Sequence, residues 1–174
     1  MKQFWVRLTR WNKGVVTTAL EQGADAIVLP KGLSEKVREL GVIATVAEDS
    51  KDMRLGRDVI EVEINSKEDE LEAVKLAGKK AVIVRTVDWN VIPLENLVAQ
   101  SDNIIAEVGT AKEAKTALEV LERGVSGVLL NSADMQEIID TAKLVKSNSE
   151  KLQLVKITIE AVKSLGSGDR VCID

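Results

Sequence analysis

Arg123-Gly124-Val125-Ser126-Gly127-Val128-Leu129-Leu130-Asn131 packs a helix end, a tight junction and an apolar strand into one short stretch. Gly124 falls where the C-terminus of a helix favours a left-handed glycine. The run 127–131 lacks polar alternation, as expected of a strand covered on both faces. Upstream, Ala114, Ala117, Leu118 and Leu121 recur at i, i+3, i+4 and i+7, the stripe of a helix laid on a sheet. Thr110-Ala111-Lys112-Glu113 fits a capping box ahead of that helix. Downstream, Met135, Ile138, Ile139 and Ala142 repeat the stripe. The unit is helix, junction, buried strand, helix.

The unit repeats along the chain. Strands are predicted at 4–8, 26–29, 42–46, 59–64, 81–85, 103–108, 127–131 and 153–159, with helices at 13–22, 34–40, 67–77, 93–100, 111–123 and 133–146. Gly23, Gly41, Gly78 and Gly124 each follow a helical stretch as C-cap candidates. Eight strands alternating with helices predict an α/β fold with parallel strands covered by helices, a TIM (β/α)8 barrel. The chain has 174 residues, whereas such barrels typically take about 250. The connection 47–58 shows little helical pattern, and nothing helical follows the last strand. The expected form is therefore a barrel that is compressed or incomplete, with an open doubly wound parallel sheet as the alternative. Residues 1–165 form the barrel-like domain. Asp169-Arg170-Val171-Cys172-Ile173-Asp174 reads as a strand without continuation, a pairing liability, so 166–174 is expected to begin a further, β-rich portion.

Composition narrows the chemistry. With 45% hydrophobic and 30% charged residues, the chain falls among folded globular proteins. It lacks an apolar run long enough for a transmembrane helix, and its start passes directly into a strand without the plan of a signal peptide. Cys172 is the single cysteine and cannot form an internal disulfide. These features predict a cytoplasmic protein. There is no histidine and no tyrosine, which excludes a Ser-His-Asp triad, a histidine-assisted thiol, a His-rich zinc site and a tyrosine acid. A net charge of -4 and only four aromatic residues argue against nucleic-acid binding. No metal site and no membrane contact are expected.

The polar residues with chemical potential gather at predicted strand ends. Asp88-Trp89-Asn90-Val91-Ile92-Pro93-Leu94-Glu95-Asn96 follows the strand ending at Arg85, on the side where barrels and open α/β sheets place their sites. Asp88 and Glu95 are the acid–base candidates and Asn96 a substrate-orienting one; otherwise Asp88 caps the helix while Trp89 and Leu94 plug the mouth. Arg85 and Glu107 end neighbouring strands, as a structural ion pair or as a clamp for a substrate carboxylate. Asn131 closes the next strand, for substrate or as a helix cap. Gly166-Ser167-Gly168 supplies only part of a dinucleotide fingerprint. It is either a turn or an anion nest with Asp169 and Arg170 beside it. Lys156 is a snorkelling lysine or a Schiff-base former.

Val15-Val16-Thr17-Thr18-Ala19-Leu20-Glu21, Asp88-Trp89 with Ile92-Pro93-Leu94-Glu95-Asn96-Leu97, Gly127–Asn131, and Gly166 through Asp174 together resemble the archaeal-type 3-dehydroquinate synthase. Single motifs are modest; their order and spacing are specific. The resemblance implies an NAD-dependent enzyme of the shikimate route to aromatic amino acids. Its substrate would be 2-amino-3,7-dideoxy-D-threo-hept-6-ulosonate, oxidatively deaminated and cyclised to 3-dehydroquinate with release of ammonia. Family members continue past the GSGDRVCID segment into a largely β portion.

On that basis, hydride passes from the amine-bearing carbon to NAD, and Asp88 or Glu95 takes the proton as nitrogen becomes an imine. Arg85 or Arg170 holds the substrate carboxylate, with Asn96, Glu107 and Asn131 also on substrate and Gly166, Ser167, Gly168 and Asp169 on NAD. Two alternatives stay open: a Schiff-base lyase or aldolase-like barrel built on Lys156, and a non-catalytic scaffold. A homo-oligomer is open under each.

Overall fold

The computed structural model describes residues 2–86, 91–121 and 123–147. Eight parallel strands are found among them: β1 (Gln3–Arg7), β2 (Ala26–Val28), β3 (Ala44–Ala47), β4 (Met53–Arg54), β5 (Val59–Ile64), β6 (Ala81–Thr86), β7 (Ile104–Val108) and β8 (Gly127–Leu130). The sheet order is β4-β3-β2-β1-β8-β7-β6-β5, so β8 pairs back onto β1. The result is a nearly closed barrel, and one seam, between β4 and β5, is not sealed by a ladder. Gly56 N–H donates to Val59 O at 2.8 Å there, beside an isolated bridge from Leu55 to Val59. The barrel, not the open doubly wound sheet, is the architecture.

Among the described residues six helices surround it: α1 (Lys13–Glu21), α2 (Ser34–Arg38), α3 (Lys67–Ala77), α4 (Val91–Gln100), α5 (Ala111–Glu119) and α6 (Met135–Ser147). No helix separates β3 from β4 or β4 from β5, and that omission compresses the barrel. A polar knot stands where the first missing helix would lie. Thr45 and Ser50, both buried, bring their hydroxyl oxygens to 2.8 Å, and the Ser50 hydroxyl donates to Thr45 O at 2.8 Å. Asp52 accepts from the Thr45 backbone N–H at 2.9 Å and from its hydroxyl at 2.8 Å. Arg38 of α2 pairs with Asp52 at 3.1 Å. These bonds satisfy buried polar groups that a helix would otherwise cover.

The expected strand count is thus met by a different set. Residues 153–159, predicted as the eighth strand, lie outside the described residues, and Met53–Arg54 takes a place in the sheet instead. Two residues are too few for a periodic signal, so this strand was not legible.

Alternation along each strand sorts the core into two. Trp5, Ala26, Val28, Val46, Val59, Ile83, Ile105 and Leu129 fill the barrel interior, with Ala44 and Ala81 against them. Trp5 is in register with Ala26 on one side and Leu129 on the other. Small alanines leave room for its indole, which is 3% exposed. The outward set, including Phe4, Val6, Ile27, Val82, Val84, Ile104 and Val128, packs beneath the helices. Leu94 belongs to this outer layer, so it does not plug the mouth; Trp5 is the large interior filler, and Trp89 lies outside the described residues.

Helix ends show where local signals held and where they failed. Thr110 accepts from Glu113 N–H, but Glu113 reaches back to Gly109 N–H at 2.7 Å, one residue before the expected cap. Helix α5 stops at Glu119, with Leu121 at φ 51 and half exposed. The buried stripe is therefore Ala114, Ala117 and Leu118 without Leu121. In α6, Ile138, Thr141, Ala142 and Val145 are buried while Met135 is 46% exposed. Gly124 has the predicted left-handed φ of 62, as Gly23 does at 66, whereas Gly78 is right-handed at φ -64 and Gly41 is not left-handed.

Candidate functional site

The inward positions at the C-terminal ends of the strands carry charge instead of aliphatic side chains. Alternation from Trp5 puts Arg7 inward on β1, and the pattern Val59-Ile60-Glu61-Val62-Glu63 does the same for Glu61 and Glu63 on β5. Arg85 on β6 sits beside Glu63 in the register. Glu107 on β7 pairs with Leu129 in the register, and Asn131 follows β8. Six polar side chains thus line one end of the barrel, the end where α/β barrels place their chemistry.

Glu107 is the hub. Its side chain is 5% exposed. It accepts from Arg7 Nη2 at 2.8 Å, from Arg85 Nη2 at 3.0 and 3.1 Å to its two oxygens, and from Asn131 Nδ2 at 2.8 Å. A carboxylate this buried is tolerable because three donors compensate its lost hydration. Arg7 Nη2 also donates to Glu61. The Arg7 side chain is 13% exposed, while Arg85 is 52% exposed and turns its remaining donors to solvent. Hydrogen bonding with Glu107, then its charge, holds the Arg85 guanidinium above its ordinary value, with Glu61 and Glu63 adding attraction. Arg85 is thus a permanent cation at the mouth.

Cavities surround the cluster. One of about 230 Å³ is lined by Glu61, Val62, Glu63, Ile83, Arg85 and Glu107. Another of about 410 Å³ opens over the ends of β1 to β3, lined by Arg7, Pro30, Lys31, Glu48 and Leu55 among others. A smaller one of about 90 Å³ lies between Arg7, Arg10, Asn12, Asn131 and Ser132. A two-arginine cluster with an amide and three carboxylates can hold a polyhydroxylated acid.

Of the residues singled out from sequence, Arg85, Glu107 and Asn131 come together here. Asn96 does not join them: its amide donates to Glu70 on α3 at 3.2 Å, between two helices. Glu95 lies half-buried in the second turn of α4. Asp88, Gly166, Ser167, Gly168, Asp169, Arg170, Lys156 and Cys172 lie outside the described residues. Arg7, Glu61 and Glu63 were missed. The signal that picked out Arg85 and Glu107, a charge closing an apolar strand, is equally present in Phe4-Trp5-Val6-Arg7.

A dinucleotide pyrophosphate needs free N–H groups at a helix start or a glycine-rich loop. At the starts of α1, α3, α5 and α6, first-turn N–H groups are already taken by Asn12, Ser66, Thr110 and Asp134. These four helix starts are thus partly occupied, and α2, only five residues long, has no side-chain cap. No helix among them is long and apolar enough to cross a membrane.

Comparison with known proteins agrees with the barrel. A solved monomeric form of the dimeric phosphoribosylanthranilate isomerase of Thermotoga maritima aligns with a TM-score of 0.61 at 11% identity, covering 84% of this chain and 100% of that one. That likeness concerns the fold alone. The 3-dehydroquinate synthase of Methanoregula boonei is 53% identical over 174 residues, covering all of this chain and 52% of the relative. A 3-dehydroquinate synthase homolog of Aquifex aeolicus is 48% identical, covering 100% of this chain and 53% of the relative. The chain spans about half the length of the curated relatives it matches. Residues 1–145 match the 3-dehydroquinate synthase II N-terminal domain, and the chain belongs to that family.

Proposed function

We propose that this chain is the barrel portion of an archaeal-type 3-dehydroquinate synthase, a cytoplasmic enzyme of aromatic amino-acid biosynthesis. The reaction is the NAD-dependent oxidative deamination of 2-amino-3,7-dideoxy-D-threo-hept-6-ulosonate, followed by cyclisation to 3-dehydroquinate. Family membership and the names of the relatives support the formation of 3-dehydroquinate; NAD and the amino-heptulosonate are what the sequence resemblance implies. The observation that carries a role for this chain is the half-exposed Arg85 held on buried Glu107 at the barrel mouth.

The described residues act on substrate. Arg85 donates to the hydroxyl and carbonyl oxygens of the substrate through the donors that Glu107 leaves free, a charge-assisted contact that fixes one end of the molecule. Glu107 keeps Arg85 in place, and Asn131 fixes the Glu107 carboxylate from the other side. Proton acceptance from the amine falls to Asp88 or Glu95, the carboxylates that follow β6 in the chain.

The test is appearance of NADH absorbance when NAD and the amino-heptulosonate are supplied. It is run with this chain and with the chain joined to the second half of the Methanoregula boonei relative. NADH formation in either form, abolished by omitting the amino-heptulosonate, is the expected result. Silence from both overturns the reading.

A further inference from the structure

Resting on that reading of the mouth, the Arg7–Glu61 pair has a use of its own. Arg7 is on β1 and Glu61 on β5, strands on opposite sides of the eight-stranded barrel. Their ion pair therefore crosses the opening. Arg7 lines the cavity of about 410 Å³ and Glu61 the cavity of about 230 Å³.

The two carboxylates on Arg7 are held very differently. Glu107 is 5% exposed and has Arg85 and Asn131 as further donors. Glu61 is 39% exposed and returns to water at little cost, since pairs of this kind are worth little net. Arg7 itself is incompletely used: its Nε is buried and has no hydrogen-bond partner. Nε and Nη2 lie along one edge of a guanidinium, matched to the two oxygens of a carboxylate. Glu61 engages Nη2 without Nε.

We propose that Glu61 is a displaceable stand-in for a ligand carboxylate. The carboxylate of the hydroxylated acid substrate takes its place on Arg7, binding Nε and Nη2 together, while Glu107 stays fixed beneath. Glu61 swings into solvent with its charge intact. The exchange satisfies the idle Nε donor, which a buried polar group otherwise leaves as a standing cost. It also selects for acids, because a neutral sugar in place of Glu61 would leave Arg7 with one carboxylate where it had two.

The experiment follows the Arg7 Nε–H resonance in nitrogen-15-labelled protein, assigned by its loss in Arg7→Lys. The chain is titrated separately with the amino-heptulosonate, with 3-dehydroquinate and with pyruvate as a plain carboxylate. A saturable shift of this resonance is expected. Glu61→Gln, at a half-exposed position that leaves the fold intact, tightens binding roughly two- to five-fold by removing the competing charge. Glu63→Gln, the same charge change on the same strand, tightens it less. Saturable binding of the amino-heptulosonate with an unmoved Arg7 resonance overturns this inference and leaves the proposed function standing. Equal tightening in Glu61→Gln and Glu63→Gln overturns it too. A shift with pyruvate but not with the amino-heptulosonate supports the Arg7 position and overturns the proposed substrate instead.

Discussion

Arg7 Nη2 lies 2.8 Å from Glu107 Oε2, a pairing that reaches across the whole of β8 to tie β1 to β7 where the barrel closes. It shares Glu107 with Arg85, yet the two arginines are not equivalent. Arg7 is nearly enclosed and Arg85 is half in water. Glu107→Gln leaves Arg7 without a buried counter-charge and is expected to cost about 3 kcal/mol or more. Arg85→Ala is expected to cost less than about 1 kcal/mol, because its partner keeps Arg7 and Asn131. Denaturant unfolding of both variants checks the contrast.

Acid stability should depend on Asp52. Hydrogen bonding from the Thr45 backbone N–H, aided by the Thr45 hydroxyl and Arg38, holds this carboxyl below its ordinary 3.8. The folded protein therefore binds fewer protons there than the unfolded chain. The stabilisation is complete above the ordinary value and fades as pH falls through the lowered folded one. Asp52→Asn is expected to be less stable than the parent at neutral pH and to lose less on acidification. Urea midpoints measured from neutral pH down to the acid limb show whether the two curves converge.

The barrel interior offers a simpler trial. Trp5→Ala removes a large interior side chain from beside Ala26, in a cluster against which Ala44 and Ala81 also pack, and these alanines are too small to close the gap. A loss of about 3–5 kcal/mol is expected. Calorimetry of the variant measures it.

Two glycines should behave in opposite ways. At Gly14, in the first turn of α1, an added Cβ meets the mobile end of the half-exposed Met135. Gly14→Ala is expected to be neutral or to stabilise by up to about 1 kcal/mol. At Gly124, with φ +62, a Cβ would fall 1.9 Å from Leu118 O, which is backbone. Gly124→Ala is expected to destabilise by more than about 1 kcal/mol. Thermal melts of the two variants should shift in opposite directions or differ widely in size.

What was legible in the sequence follows from periodicity. Long stretches such as 67–77 and strands such as 59–64 match the structure residue for residue, since many residues vote for one period. Met53–Arg54 was not legible, because its strand identity comes from pairing with Val46 and Ala47 and not from its own pattern. Arg85 and Glu107 were found as strand-end charges. Arg7 carries the same signal after Phe4-Trp5-Val6, whereas Glu61 lies within its strand and owes its place to meeting Arg7 across the barrel, a separation of 54 residues that no local pattern encodes. Asn96 was chosen by its nearness in sequence to Asp88, and α4 turned it toward Glu70.

If the charged mouth around Glu107 receives the substrate, Arg85 must contribute to its affinity. Calorimetric titration of the amino-heptulosonate into the parent chain and into Arg85→Ala measures that contribution. Saturable binding by the parent, weakened about ten-fold or more by loss of the charged hydrogen bond in Arg85→Ala at an unchanged fold, is the predicted result. Equal affinity in the two proteins would place the substrate elsewhere and contradict the claim.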